Sequence, residues 1–363
     1  MTQKNLPHIL LAVFLLFLLS GPGARAASET GRQNQEPGQF RALVYHHVGM
    51  EEKFPSTSVS VKQFQKHLAY LKQHDYTVLL LGQALDRLHS EKPLPEKSAV
   101  ITMDDGYRSI WENALPLLED YGYGATIFIS TRHVGGNNYL TWDQIQKIKE
   151  KGFELGNHSH AHAYFLDNPK GKIAKAFEAD LKKSHEQFRR HIGQVPDIYS
   201  YPFGEYTPGM MGVLKKNGYH AATAQKSGVI YAGSNRFALP RFPMNIHYAG
   251  MEGFSEKMRM NALRVAEVTP GLPVVREENP PALKLRIKNN KISSGGLQCF
   301  VDGQKNCRME KTQKNNALIV RLKANNELTS RRTLYTITAP SNDGSQWFWY
   351  SHLWVIPEIS GDY

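Results

Sequence analysis

The sequence predicts an α/β protein in which a (β/α) barrel or open parallel sheet is followed by a smaller β-rich region. From Phe40 onward, apolar runs alternate with amphipathic helical patterns, which is typical of strands separated by crossover helices. Beyond residue 283 only short strand-like runs remain. A chain of 363 residues is long enough to form two hydrophobic cores.

Local signals support the individual elements of the first region. Ser60 is placed to cap a helix with Phe64, Leu68 and Leu71 on one face, and Thr141 is placed to cap another. The predicted strands span residues 41–48, 99–103, 125–130, 153–156, 198–201, 221–224 and 237–242. The predicted helices include residues 114–121, a long helix at about 172–191, and one that opens at residue 207. In such a fold, strand ends that are distant in sequence meet at one rim.

The first 26 residues have the pattern of a secretory signal. Lys4 precedes an apolar run of eleven residues from Ile9 to Leu19, and Ala24-Arg25-Ala26 is a small-residue cleavage pattern. This run is shorter than the roughly 20 residues of a membrane-spanning helix, although an uncleaved anchor remains the alternative. We expect cleavage after Ala26, no transmembrane segment in the mature chain, and export to the periplasm or the cell exterior.

Composition divides the remaining chain into segments. We predict an N-terminal segment at 27–39, the main α/β domain at 40–266, a Pro- and Gly-rich linker at 267–282, and a β-rich accessory domain at 283–363. Aromatic residues between Trp347 and Trp354 could stack on sugars, but alternate positions more simply form a core. Cys299 and Cys307 flank the turn dipeptide Asp302-Gly303. A structural disulfide is the favoured state, with free thiols or half of a metal site as alternatives.

The charge of the chain favours an anionic environment. There are 44 Lys and Arg against 33 Asp and Glu, a net charge of +11, and loss of Lys4 and Arg25 with the signal lowers it by two, to +9. Such a charge favours association with a phosphate-rich envelope. Nucleic acid is not expected as a partner, because the basic residues are scattered and export is predicted.

Side chains at the predicted strand ends form the pattern of a metal-dependent hydrolase. Asp104 and Asp105 leave one strand, and His158 and His162 follow another at the spacing of one helical turn. Two imidazoles and one carboxylate suit zinc, and Co²⁺, Ni²⁺ or Fe²⁺ also fit. A cation held by Asp105 would leave Asp104 ionised as a proton acceptor. The alternative is that Asp-Asp-Gly is an ordinary turn and the histidines have no ligand.

At these residues the chain resembles the polysaccharide deacetylases that share the NodB homology domain, carbohydrate esterase family 4. The resemblance spans residues 41–264, and its motifs are Thr102-Met103-Asp104-Asp105-Gly106, His158-Ser159-x-x-His162 and Ser200-Tyr201-Pro202-Phe203-Gly204. The opening Tyr45-His46-His47-Val48 resembles the branch that includes poly-β-1,6-N-acetylglucosamine deacetylases. The resemblance implies an irregular (β/α) barrel of the NodB type.

The resemblance also implies a role for each motif residue. Asp104 matches the general base, and the metal ligands match Asp105, His158 and His162. The third motif forms one wall of the groove, so Phe203 and Tyr201 are expected to contact substrate, and the N–H of Phe203 is expected to bind the developing oxyanion. The implied reaction is hydrolysis of N-acetyl groups on an amino-sugar polysaccharide, with release of acetate.

Two roles lack a direct match in the motifs. Many relatives hold the base with an arginine at the position of Ser200, and Arg241 could supply that guanidinium instead, unless it is only an ordinary surface ion pair. The general acid has His46 and His247 as candidates, and we favour His46 because it lies at a strand end.

Two other functions are compatible with the sequence. The same metal and base would serve an O-acetyl polysaccharide esterase, so the bond is not determined by these residues. A non-catalytic glycan-binding protein is the other possibility, although a binder has no need for Asp104 beside a metal triad.

Overall fold

The computed structural model describes residues 38–361, except residues 89, 91–92, 289–290, 305–306 and 315–316. The predicted signal at 1–26 and nearly all of the segment at 27–39 therefore lie outside the described residues. Within the described part of the chain, we find no helix with the length and apolar character needed to cross a membrane.

The first region alternates strands and helices. Its strands are β1 (Gln39–Tyr45), β2 (His47–Val48), β3 (Ser58–Val59), β4 (Thr77–Leu79), β5 (Ser98–Met103), β6 (Thr126–Ile129), β7 (Glu154–Asn157), β8 (Ile198–Ser200), β9 (Ala221–Thr223), β10 (Val229–Tyr231) and β11 (Phe242–Pro243). Its helices are α1 (Val61–Gln73), α2 (Leu81–Leu88), α3 (Leu115–Tyr121), α4 (Trp142–Glu150), α5 (Ile173–Ile192), α6 (Pro208–Lys216) and α7 (Met251–Arg259). The predicted caps are confirmed: Ser60 accepts a hydrogen bond from the Gln63 N–H, and Thr141 accepts one from the Gln144 N–H.

One nine-stranded sheet curls around the main core. Strands β1, β5, β6, β7, β8 and β9 are parallel neighbours in that order, β10 is antiparallel to β1, and β4 and β11 pair with β5 and β1. Leu239 forms an isolated parallel bridge to Thr223 of β9, and Phe242 pairs with Leu43 of β1. The segment 236–243 thus connects the last parallel strand to the first. We call residues 236–243 the seam of the barrel. A curled, mostly parallel sheet with this irregular seam confirms the predicted fold class.

The seam also corrects one predicted element. We predicted a strand at 237–242, but only Phe242–Pro243 is a strand. Pro240 has no N–H to donate to a ladder, which limits regular pairing at this point. The sequence patterns also missed β10 and α7.

The remaining elements form two four-stranded sheets. The strands are β12 (Asn261–Ala262), β13 (Val265–Thr269), β14 (Ala282–Ile287), β15 (Gln298–Val301), β16 (Cys307–Lys314), β17 (Ala317–Ala324), β18 (Arg332–Pro340) and β19 (Trp347–Val355). The sheet orders are β12-β19-β18-β15 and β13-β14-β17-β16. Buried residues of both sheets, including Leu285, Val320, Ile337, Phe348 and Trp354, share one hydrophobic cluster. Alternate aromatic residues of β19 therefore serve this core.

Two features of this β-rich region bear on the sequence predictions. Cys299 and Cys307 form a disulfide with their Cα atoms 5.8 Å apart, which confirms the favoured state. Strand β13 includes residues 267–269, which we had assigned to the linker, and pairs them with β14. The division of the chain into two domains at these positions stays a prediction.

Candidate active site

The site lies where several parallel strands end. Asp104 and Asp105 directly follow β5, His158 directly follows β7, and His46 directly follows β1. Arg241 lies just before β11, in the irregular seam. Because the carboxyl ends of parallel strands open on the same rim, residues far apart in sequence converge there.

Asp105, His158 and His162 form a compact cluster of metal-ligating atoms. The Nε2 atoms of His158 and His162 each lie 3.1 Å from Asp105 Oδ1. One ligand atom from each residue lies within 4.8 Å of the others. Burial would raise the pKa of Asp105, but the two imidazoles lower it further, so its pKa is well below the ordinary value. The carboxylate is ionised, as a metal ligand must be.

These donor atoms fit a divalent cation. Asp105 Oδ1 is buried and accepts no well-aligned hydrogen bond from the described residues, although two imidazole nitrogens lie close to it. His158 Nδ1 donates to the Ser200 carbonyl oxygen at 2.8 Å, so in the neutral ring Nε2 keeps its lone pair for a ligand bond. Burial lowers the pKa of His158, but Asp104 and Asp105 raise it above its ordinary value, so binding of a cation displaces a proton. Two imidazoles and one carboxylate are a donor set that suits Zn²⁺.

The histidines do not lie on a helical turn, which corrects that detail of the prediction. Residues 158–162 form a loop in which the Ser159 hydroxyl accepts the His162 N–H at 2.8 Å. Asp180 of α5 accepts the N–H groups of His160 and Ala161 at 2.8 and 2.9 Å. These hydrogen bonds hold the loop in a conformation that brings both His158 and His162 to Asp105, although the four-residue spacing is not part of a helix.

Asp104 is a buried carboxylate held by Arg241. The guanidinium donates to both carboxylate oxygens at 2.7 Å, and the Ser200 hydroxyl donates to Oδ2 at 3.1 Å. Both partners of the ion pair are 0% exposed. The predicted surface-pair alternative for Arg241 is therefore wrong. Burial would raise the pKa of Asp104, but Arg241 and His158 lower it to below its ordinary value.

Backbone strain is concentrated at this site. Positive φ angles occur at Asp105 (73°), Ser159 (68°), His162 (50°) and Phe203 (59°), whereas residues other than glycine prefer negative φ. Such conformations persist only where the surrounding structure enforces them, and they cluster at functional sites.

The third motif has two different environments. Phe203 is 5% exposed and packs edge-on against His162, with ring centroids 4.5 Å apart, so it borders the metal cluster. Its role as an oxyanion donor stays a prediction. Tyr201 is 0% exposed and lies in a core cluster with Phe177 and Tyr199. Its predicted contact with substrate is corrected, because the side chain points into the core.

The two candidate acids differ in position. His46 and Arg241 line the same cavity. Burial lowers the pKa of His46, and the nearby carboxylates of Asp105 and Asp104 oppose that effect only partly. His247 is exposed in the loop after β11, where its N–H donates to Asn245. Of these two histidines, only His46 lines the cavity beside Arg241, and its role as general acid stays a prediction.

The structure adds residues that sequence reasoning missed. Tyr107 stacks on His47 with ring centroids 3.6 Å apart, and burial followed by the Asp105 charge raises the pKa of its hydroxyl. Arg332 of the β-rich region donates to the Phe203 carbonyl at 2.9 Å. Because Tyr107 directly follows the Asp-Asp-Gly motif in the sequence, its position beside the site could have been predicted. No local pattern marked Arg332.

Comparisons with known proteins agree with this geometry. Residues 91–222 match the family model described as polysaccharide deacetylase. A poly-β-1,6-N-acetyl-D-glucosamine N-deacetylase of Staphylococcus aureus (strain MRSA252) is 32% identical over 194 residues, which cover 51% of this chain and 67% of that protein.

Solved structures share the fold. The Streptococcus pyogenes deacetylase PplD, in complex with acetate, aligns with a TM-score of 0.55 at 20% identity, over 61% of this chain and 99% of that one. IcaB from Ammonifex degensii aligns with a TM-score of 0.55 at 23% identity, over 62% and 97%. With 32% identity to a relative of which the chain covers 67%, and with the buried Asp104–Arg241 ion pair beside the Asp-His-His cluster, the chain belongs to the polysaccharide deacetylase family.

Proposed function

We propose that this polysaccharide deacetylase removes N-acetyl groups from a polymer of β-1,6-linked N-acetylglucosamine and releases acetate. The observation that carries the proposal is the Asp104 carboxylate, held by Arg241 at 2.7 Å, beside the Asp105, His158 and His162 cluster. The Staphylococcus aureus relative, an N-deacetylase of that polymer, supports the choice of substrate.

The residues of the chain have distinct tasks in the proposed reaction. Asp104 accepts a proton from the attacking water, and Arg241 keeps the carboxylate ionised and oriented toward the rim. The N–H of Phe203 stabilises negative charge on the acetyl oxygen. Burial lowers the pKa of His46, so this imidazole is neutral at first. It takes up a proton from solvent and passes it to the departing amine, and Asp104 returns the proton of the attacking water to solvent.

Asp105, His158 and His162 would hold the divalent cation. When bound, the cation supplies Lewis-acid polarisation of the acetyl carbonyl and lowers the pKa of the attacking water. We propose Zn²⁺ on the basis of the nitrogen and oxygen donors, with Co²⁺, Ni²⁺ and Fe²⁺ as the alternatives.

We also propose that the protein acts on the polymer outside the cytoplasm. The signal-like pattern of the first 26 residues and the net charge of +11 support export and association with the envelope.

The test is acetate release by the purified protein from β-1,6, β-1,4 and peptidoglycan-derived N-acetylglucosamine oligomers, with Zn²⁺ and after chelation. We expect chelator-sensitive release that is fastest on the β-1,6 oligomers. Release from an O-acetylated polysaccharide in the absence of any release from the amides would indicate the esterase. Binding of oligomers at full metal occupancy without release of acetate would indicate a glycan-binding protein.

A further inference from the structure

A cavity of about 340 Å³ lies beside His46 and Arg241 and is lined by both regions of the chain. Arg241 and His46 line it from the barrel, and Asp302 and Arg332 line it from the β-rich region. Because Arg241 also donates to Asp104 at 2.7 Å, this cavity lies within one side chain of that carboxylate. None of the sequence motifs includes the β-rich part of this cavity.

An exposed aromatic ring is present in this cavity. Tyr248 lies in the loop after β11, lines the cavity and is 49% exposed. The loop is tied to α7, because the Lys257 ammonium donates to the Tyr248 carbonyl at 3.0 Å and lies 5.7 Å from the ring centroid. An aromatic face with a polar edge, held in place and open to solvent, is a suitable platform for a sugar ring.

A carboxylate from the β-rich region faces the same space. Asp302 lies in the turn after β15, whose two flanking cysteines form the disulfide. Its Oδ2 accepts the Leu334 N–H at 2.9 Å, and its own N–H donates to the Leu334 carbonyl at 3.1 Å. Asp302 and Tyr248 thus line the same cavity, one from the β-rich region and the other from the barrel.

The charges of the cavity favour a neutral hydroxylated ligand. Among the described residues, no cation forms an ion pair with Asp302. Arg331 is bonded to Glu205 and Asp167, and Arg332 to the Phe203 carbonyl, so these guanidinium groups already have acceptors. Asp302 thus keeps accepting capacity for hydroxyl groups of a ligand.

We propose that Tyr248 and Asp302 form a second sugar subsite, which binds another pyranose unit of the polymer that is deacetylated at Asp104. The ring packs on Tyr248, and Asp302 accepts hydrogen bonds from the sugar hydroxyls. This inference rests on the proposed function, and it makes the β-rich region part of the substrate-binding groove.

The test compares long and short substrates in the metal-loaded full chain. We measure kcat/KM on the β-1,6 N-acetylglucosamine hexamer and on the N-acetylglucosamine monomer for Tyr248→Ala and Asp302→Asn. The amide of Asp302→Asn can still accept the Leu334 N–H, but it turns the other acceptor into a donor. We expect the hexamer-to-monomer ratio of kcat/KM to fall by about tenfold in each variant, mainly through KM, as for loss of one strong ligand contact.

Matched controls separate a local effect from general damage. Ile246→Ala removes a side chain of the same loop that is 48% exposed, and Glu310→Gln neutralises an exposed carboxylate of β16. Both should keep the wild-type ratio. An unchanged ratio in Tyr248→Ala and Asp302→Asn would overturn the subsite.

A binding experiment distinguishes failure of the subsite from failure of the proposed function. Calorimetry measures hexamer binding to the metal-loaded Asp104→Asn protein with and without Tyr248→Ala. About tenfold weaker binding in the double variant supports the subsite even if the wild-type protein releases no acetate from these amides. Equal binding overturns the subsite even where the deacetylase activity is present.

Discussion

The Asp104 carboxylate is kept ionised by a guanidinium that comes from 137 residues further along the chain. A buried carboxylate without a partner would take up a proton, because burial disfavours the charged form. The bidentate contact from Arg241 and the Ser200 hydroxyl reverse this tendency and fix the orientation of the group. Because Asp104 is outside the Asp105, His158 and His162 cluster, its proposed role as base can be tested separately from the proposed metal ligands.

Replacement of the base and of a ligand should have different consequences. We expect Asp104→Asn to lower kcat by about 10³-fold or more while metal content stays near that of the wild type, because its oxygens are outside the ligand cluster. His162→Ala should lose both metal and activity. Elemental analysis alongside acetate release measures both quantities. Equal metal loss in the two variants would contradict these roles.

Single substitutions also distinguish the two candidate general acids, His46 and His247. We expect His46→Ala to lower kcat by about 10²-fold, since a positioned general acid contributes about this much. His247→Ala is the matched control, because that side chain is exposed and outside the cavity that His46 lines. A larger loss in His247→Ala than in His46→Ala, measured by acetate release at saturating substrate, would reverse the assignment.

At the scale of elements, the start of β18 is bonded to the loop that carries the third motif. Arg331 donates to both carboxylate oxygens of Glu205 at 2.7 and 2.9 Å, and to Asp167 at 2.7 Å. Its neighbour Arg332 donates to the Phe203 carbonyl at 2.9 Å. Phe203 has a positive φ of 59°, so its conformation depends on such external contacts. The β-rich region therefore helps to position a wall of the active site.

Loss of the Arg332 contact should reduce turnover more than stability. We expect Arg332→Ala to lower kcat by about tenfold with a smaller change in KM, because a small displacement of the Phe203 loop would misplace the Phe203 N–H, the proposed donor to the acetyl oxygen. Arg332→Lys should recover part of the loss, since an ammonium can still donate to a carbonyl. Arg321→Ala, at an exposed position of β17, is the control. A loss in Arg332→Ala that appears only as a lower melting temperature would contradict a positioning role.

At the scale of the whole molecule, buried neutral histidines connect stability to pH. His67 is 0% exposed, lies 2.9 Å from the Tyr45 hydroxyl and 2.7 Å from the Ala249 carbonyl, and stacks on Phe254. Because the carbonyl can only accept, Nε2 donates to it and Nδ1 accepts from the hydroxyl. Burial lowers the pKa of His67 from 6.5 to about 4. The neutral ring thus links α1 to the segment before α7.

The sign of the pH effect follows from this lowered pKa. The unfolded chain binds a proton at His67 below pH 6.5, whereas the folded chain does so only near pH 4, so stability falls as the pH falls through this window. Between pH 7.5 and 4.5 the loss from this residue is on the order of 2 to 3 kcal/mol. We expect urea unfolding with excess chelator to show this loss in the wild type and a correspondingly smaller one in His67→Gln. Identical losses in the two proteins would contradict the assignment.

Much of the fold and of the site followed from local patterns in the sequence. Alternating apolar and helical segments predicted the strands and helices, because side-chain periodicity and helix capping are set by neighbouring residues. The Asp-Asp and His-x-x-x-His motifs after apolar strands predicted that Asp104, Asp105, His158 and His162 lie together, since strand ends in an α/β fold meet at one rim. Their roles as base and metal ligands stay predictions. Strand β16 escaped detection because its residues Cys307–Lys314 are mostly exposed and show no apolar alternation.

By itself, the sequence determined which residue types are available and where regular elements carry them. The tertiary structure alone decided which distant groups meet. The seam at 236–243 has no regular pattern, yet it brings Arg241 to Asp104, while Tyr201 of the third motif is turned into the core. The contacts of Arg332 and the cavity shared with Asp302 depend on how the β-rich region packs on the barrel. Such contacts join residues that share no local periodicity, so only the three-dimensional packing specifies them.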